Sequence, residues 1–226
     1  SITYTLTGTD AADFTISSAG VITFNNAPDF ESRSFYNITV NVSDGTHTSS
    51  QPVAITVTNA NDAPVISGLG LSVSVPENQT AVVTVSATDA DGDTVTYSLT
   101  GTDAADFSIA STGVITFNTV PDFETKSSYE VTVNVGDGTS TINQTLTISV
   151  TNVNETPTAV SLSATSIAEN AAGVTVGTLS STDVDGGDTF TYTLTGTDAS
   201  SFEISGATLK LKDSVTADYE TQTSYA

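Results

Sequence analysis

The chain has 226 residues, with 26 acidic against 4 basic, a net charge of −22, and no cysteine, methionine or tryptophan. Such a surface repels phosphodiesters and anionic lipid. It therefore weighs against nucleic acid and membrane as partners and favours multivalent cations. Without cysteine there is neither a disulfide staple nor thiolate chemistry. With one histidine, neither a zinc site nor a Ser-His-Asp triad has its parts.

The first elements fall in Tyr4-Thr-Leu-Thr-Gly-Thr-Asp-Ala-Ala-Asp-Phe14, Gly20-Val-Ile-Thr-Phe24 and the strand pattern that follows Pro28-Asp-Phe-Glu31. The same blocks return 93 residues later as Tyr97 to Phe107, Gly113 to Phe117 and Pro121 to Glu124. A looser copy of the first block runs from Tyr192 to Phe202, and Ala217-Asp-Tyr-Glu220 follows it. Linker-like Asn59-Ala-Asn-Asp-Ala-Pro64 matches Asn152-Val-Asn-Glu-Thr-Pro157. A fixed period with a common order of blocks is the mark of a tandem array. Three segments result: 1–62, the later part of one repeat; 63–155, a complete repeat; and 156–226, the earlier part of a third. The missing initial methionine and the cut outer repeats suggest a window from a longer array. No apolar run is long enough to be a membrane span or signal peptide.

The middle repeat predicts seven strands: Leu71–Val75, Ala81–Ala87, Val95–Leu99, Phe107–Ile109, Val114–Phe117, Tyr129–Val135 and Ile142–Val150. Asp91-Gly92, Ser111-Thr112-Gly113 and Asp137-Gly138 are the turn signals between them. In Tyr129–Val135 the alternation sends Tyr129, Val131, Val133 and Val135 to the core and Glu130, Thr132 and Asn134 to water. About seven short strands in some ninety residues predict an all-β fold of tandem, immunoglobulin-like Greek-key sandwiches. Pro-Asp-Phe-Glu reads as a strand entry with Phe30 and Phe123 as core anchors. On an extended segment its two carboxylates point the same way. Asp103 and Asp106 read as turn residues, and His47 as a solvated loop residue.

Sixteen of the 26 acidic residues recur in short blocks at strand ends and linkers. These are Glu-Asn at 77–78 and 169–170, Asp-x-Glu, Asn-x-Asn-Asp/Glu, Asp-x-Asp, and Asp-Gly after an apolar strand. Taken singly each is a turn or a solubility device. Calcium needs six to eight oxygens, which one repeat does not gather but two repeats meeting at a linker do.

In these blocks the whole chain resembles the cadherin repeat family in its bacterial form. The resemblance implies calcium at each junction. At the first it implies ligands from Asp29, Glu31, Asn59, Asn61, Asp62, Asp89, Asp91 and Asp137. At the second it implies Glu77, Asp122, Glu124, Asn152, Asn154, Glu155, Asp183 and Asp185. Asp44 would serve a junction further upstream, and Glu169, Asp218 and Glu220 one further downstream. The chain departs from the family in three places. Asn59 and Asn152 are neutral where the family has Asp. Glu155 is a methylene longer than the usual Asp. Asp183-Val-Asp-Gly-Gly-Asp188 has one residue more than Asp89-Ala-Asp-Gly-Asp93.

The resulting expectation is a non-enzymatic, calcium-stiffened extracellular spacer in a large cell-surface or secreted bacterial adhesin or matrix protein. Its partners would be calcium and neighbouring repeats, with homophilic or glycan contacts as further options. The alternatives are a carbohydrate- or protein-binding adhesion module and a subunit of a surface filament or layer.

Overall fold

The computed structural model describes residues 1–226 and is built of strands, short turns and three single 3₁₀ turns. Two compact units emerge. One comprises Ser1–Val75, Thr80–Thr119 and Ser128–Ser149; the other comprises Pro76–Gln79, Val120–Ser127 and Val150–Ala226. The residues around the first linker thus lie in one unit, and those around the second linker in the other.

In the first unit, β1 (Thr3–Thr7), β4 (Phe35–Ser43) and β5 (Thr48–Thr56) form a three-stranded sheet. The hairpin of β2 (Phe14–Ile16) and β3 (Ile22–Phe24) packs on it through Phe14, Phe24 and Tyr36, whose rings meet edge-on or tilted at 4.4–5.6 Å. Aromatic pairs favour such offset geometry over face-to-face stacking. Only Phe14, Tyr36 and Ile38 are buried in this core.

The middle repeat adds β6 (Val65–Ser67), β7 (Ser72–Pro76), β8 (Ala81–Thr84) and β9 (Ser86–Thr88). It continues with β10 (Thr96–Thr100), β11 (Phe107–Ile109), β12 (Val114–Phe117), β13 (Ser128–Gly136) and β14 (Thr141–Thr151). One sheet has the order β10-β13-β14-β7, a second β11-β12-β8, and β6 pairs with β9. The alternation of β13 is realised: Val131, Val133 and Val135 are fully buried beside Leu146 and Ile148 of β14. The Leu71 carbonyl accepts from the Thr147 amide and the Thr151 carbonyl from the Glu77 amide. The segment leading into and out of β7 therefore runs in the same direction as β14.

Two strands differ from expectation. The predicted strand Ala81–Ala87 is broken at Val85, whose amide donates to the Gly113 carbonyl at 2.8 Å. Gly113 has φ +82, and a Cβ there would stand 2.1 Å from the Val85 carbonyl oxygen, so only glycine fits. Strand β6 is unpredicted. It has three residues, lies against β9 alone and leaves Val65 61% exposed, so it carries almost no hydrophobic pattern.

In the second unit, β15 (Ala159–Leu162), β16 (Thr175–Thr182), β17 (Phe202–Ser205) and β18 (Thr208–Leu211) form one sheet in the order β15-β16-β18-β17. Leu211 is its one fully buried apolar side chain. No helix is long and apolar enough to cross a membrane.

The Gly-Thr-Asp block has one role in all three repeats. Asp10 Oδ2 accepts the Asn37 amide at 2.6 Å, Asp103 Oδ2 the Glu130 amide at 2.7 Å, and Asp198 Oδ2 the Ala226 amide at 2.7 Å. The expected turn is therefore also a latch onto a distant segment. The Asn37 amide, followed by the Arg33 guanidinium, holds the Asp10 carboxyl below its ordinary range. Arg33 also stacks on Tyr36 at 4.3 Å.

Candidate metal centres at the linkers

The Asp-x-Glu block is a turn, which corrects the extended reading. The Arg33 amide donates to the Asp29 carbonyl at 2.9 Å, and the Asp29 carboxylate takes the Ser32 amide at 3.0 Å and its hydroxyl at 2.9 Å. Asp122 does the same with Lys126 and Thr125. A carboxylate capping the next amides outcompetes the extended form, as at a helix N-cap. The core-anchor reading of Phe30 is likewise corrected, because Phe30 is 37% exposed while Phe123 is half-buried. In the middle repeat Glu77 accepts the Phe123 amide, and this chain has no counterpart of that block beside Phe30.

At the first linker, the Asp62 amide donates to Asp91 Oδ2 at 2.7 Å. Asn61 Nδ2 reaches Asp137 Oδ2 at 3.0 Å and Ser140 Oγ at 3.2 Å. Asp89 Oδ1 accepts the amides of Asp91 at 3.0 Å and Asp93 at 3.3 Å. One oxygen each from Glu31, Asp62 and Asp91 lies within 4.8 Å of the others, as does one each from Asp89, Asp91 and Asp93. Asn59 also reaches Asp91 through its side chain. Asp29, engaged with Ser32, is outside both groups.

The charges here are strained against one another. Desolvation and then Asp91 and Asp62 push the Glu31 carboxyl up from its ordinary value. The Asp62 amide, then Asn59, hold Asp91 down. Asp137 is held down by the amide of Ser140, then Asn61 and the amide of Thr139.

At the second linker Glu77 is only 3% exposed. Its Oε2 accepts the Phe123 amide at 2.8 Å and its Oε1 the Val153 amide at 2.7 Å. Oxygens of Glu77, Asp122 and Glu124 gather within 4.8 Å, as do those of Asp183, Asp185 and Asp188. Asn152 Nδ2 donates to Glu124 Oε1 at 3.1 Å and Asn154 Nδ2 to the Glu155 carbonyl at 2.7 Å. The Glu155 amide donates to Asp185 Oδ2 at 2.6 Å, and the Asp185 amide to Asp183 Oδ1 at 3.1 Å. Desolvation, followed by the charges of Glu77, Glu155 and Asp185, raises the Glu124 carboxyl.

Five buried carboxylate oxygens have no hydrogen-bond partner: Asp89 Oδ2, Asp91 Oδ1, Glu155 Oε2, Asp183 Oδ2 and Asp185 Oδ1. All lie at the two linkers, and the two Asp-x-Asp blocks orphan the same pair of oxygens. Buried polar atoms are nearly always partnered, and a buried carboxylate oxygen without a partner is costly. The donor set is all hard oxygen, which suits calcium or magnesium and not a soft metal. The residues therefore fit calcium.

Away from the linkers, Asp44 caps its own turn through the amides of Thr46 and His47, both at 2.7 Å, and His47 is exposed as expected. Glu169, Asp218 and Glu220 also converge within 4.8 Å, all three exposed. Asp93 and Asp188 join the linker groups, although the ligand reading leaves them out. Their signal is the third carboxylate of Asp-x-Asp-Gly-Asp and of its one-residue-longer form.

This architecture, with acidic blocks gathered at the linkers between β-sandwich repeats, is cadherin-like in fold. Residues 71–151 match the cadherin domain family model. The Fat-like cadherin-related tumor suppressor homolog of Drosophila melanogaster is 31% identical over 95% of this chain and 5% of its own length. Chitinase A of Pseudoalteromonas piscicida is 31% identical over 58% of this chain and 16% of its own length. The chain thus spans a small fraction of these relatives. Mouse cadherin-23 EC22-24 superposes with a TM-score of 0.62 at 27% identity, covering 93% of this chain and 75% of that one. Mouse protocadherin-24 EC1-3 gives 0.63 at 23% identity, covering 97% of this chain and 78% of that one.

Proposed function

We propose that this chain is a calcium-stiffened extracellular spacer within a larger surface or secreted protein. The observation that carries the reading is the set of five orphaned, buried carboxylate oxygens at the two linkers. Calcium would supply the positive charge that these oxygens lack, and the protein's own residues do the rest. At the first linker Asn61 ties the linker to Asp137, while the Asp62 amide ties it to Asp91. At the second, Glu77 holds the amides of Phe123 and Val153 and so joins the strand before Asn78, the Asp-x-Glu turn and the linker. The first linker is thereby fixed to the repeat after it and the second to the repeat before it, and like charges gathered there oppose closure until a cation neutralises them. Ligands of this class in extracellular modules bind calcium at roughly 10⁻⁴–10⁻³ M, so extracellular and not cytosolic calcium would load them.

The near-identity of the first and middle repeats supports a spacer, since a stalk needs length and not variety. Small-angle scattering with calcium and with chelator tests the reading. A narrower distribution of end-to-end distances in calcium is expected; superposable curves would overturn it.

A further inference from the structure

Asn78 and Asn170 are the only residues other than glycine with positive φ, at 64° and 65°. Both directly follow a Glu of the acidic blocks. The left-handed region is unfavourable for any residue with a Cβ, and Asn tolerates it best. Both backbones are pinned there: the Asn78 amide donates to the Pro121 carbonyl at 3.2 Å and the Asn170 amide to the Ala217 carbonyl at 2.9 Å. Only Asn78 has a linker downstream of it in this chain, and its side chain goes to that linker. Its Nδ2 donates to Glu155 Oε1 at 2.7 Å.

Glu155 stands where the first linker has Asp62. Both backbone amides donate to the second Asp of the following Asp-x-Asp block. The side chains differ. Asp62 is exposed, whereas Glu155 is half-buried with Oε2 buried and unpartnered. The extra methylene gives Glu155 an additional rotatable bond, which would let its carboxylate wander. Asn78 removes that freedom by engaging one oxygen and leaving the other free.

We propose that Asn78 is a positioning residue of the second metal centre, holding the longer Glu155 carboxylate so that Oε2 alone is presented to the ion. This rests on the calcium reading above. An outer partner that orients a ligand typically changes metal affinity by about 10- to 100-fold when removed. Restriction of one side chain by a single neutral amide belongs at the low end, about tenfold.

The test is a calcium titration by calorimetry on the 226-residue chain, comparing wild type with N78G, E155D, N78G/E155D and N170G. Glycine keeps the left-handed backbone without strain, so N78G removes only the amide. The first-linker sites serve as internal reference. The expected result is about tenfold weaker binding at the second centre in N78G and none of that loss on adding N78G to E155D, whose shorter carboxylate no longer reaches Asn78. N170G should match wild type at that centre. Equal affinity of N78G and wild type overturns this proposal alone, as does an undiminished N78G effect in the E155D background. A wild type that binds no calcium overturns both it and the spacer reading.

Discussion

The first and middle repeats carry nearly the same blocks but bury them to different depths. Ile115, Leu146 and Ile148 of the middle repeat are fully buried, whereas their counterparts Ile22, Val53 and Ile55 are only half-buried. Side-chain chemistry does not explain this, since Ile22 and Ile55 match Ile115 and Ile148. The difference is that β7 joins β14 and β8 joins β12 in the middle repeat, while the first repeat has neither strand in this chain. Two short strands therefore convert a sheet with a hairpin on it into a closed sandwich. Hydrophobic pattern selects the strands, but burial comes from completing the second layer.

Truncating matched residues should break the symmetry most strongly. Ile148→Ala empties a fully buried site and should cost about 2–5 kcal/mol, while Ile55→Ala should cost less than half as much. Urea titration followed by hydrogen exchange of the β13 and β4 amides separates the two. Equal costs would mean that the first-repeat core is as closed as the middle one.

A smaller contrast lies at the paired glycines. Both Gly20 and Gly113 have positive φ, so alanine costs about 1–2 kcal/mol at either from backbone strain. At Gly113 the new methyl also collides with the Val85 carbonyl, whereas at Gly20 the nearest atom is a Tyr4 ring carbon at 3.4 Å. Gly113→Ala should therefore be worse by at least about 1 kcal/mol, since a backbone must shift. Similar melting of the two variants would show that the break at Val85 is soft.

The smallest effect is one the two repeats should share. Glu31 and Glu124 both have raised carboxyls. A raised acid favours its neutral form in the folded state. Chelated protein should therefore gain stability as pH falls from neutrality towards about 4.5, the ordinary Glu value. Asp44 and Asp137 are lowered by backbone amides, and their contribution is lost as pH falls further, through values below 3.8. Calcium should abolish the rise, because protons then compete with a bound ion. The check is melting temperature against pH with chelator and with calcium. A chelated profile with no gain on acidification removes the like-charge account. E31Q and E124Q should each flatten part of that gain.

Strands with clean alternation were legible in the sequence. Phe107–Ile109 and Val114–Phe117 fall where predicted, and β13 and β14 extend one residue beyond prediction at each end. What escaped depends on contacts distant in sequence. The break at Val85 needs Gly113, and β6 needs β9 to define it. The convergence of Glu31, Asp62 and Asp91 was readable only as blocks in order, because residues 60 apart had to meet at one linker. That Asp29 turns away and Asn78 reaches Glu155 depends on local caps and one left-handed residue, which no periodicity records.

The common direction of the β7 segment and β14 has a mechanical consequence. These are near the entry and the exit of the middle repeat, and they are bonded side by side, from Leu71 with Thr147 to Glu77 with Thr151. A pull on the two ends of the repeat slides one strand along the other. The bridging hydrogen bonds then bear load together and rupture as a group, unlike a hairpin, which unzips one pair at a time. With no cysteine in the chain, nothing covalent backs up this shear clamp. A repeat torn open under tension could close again without any redox step.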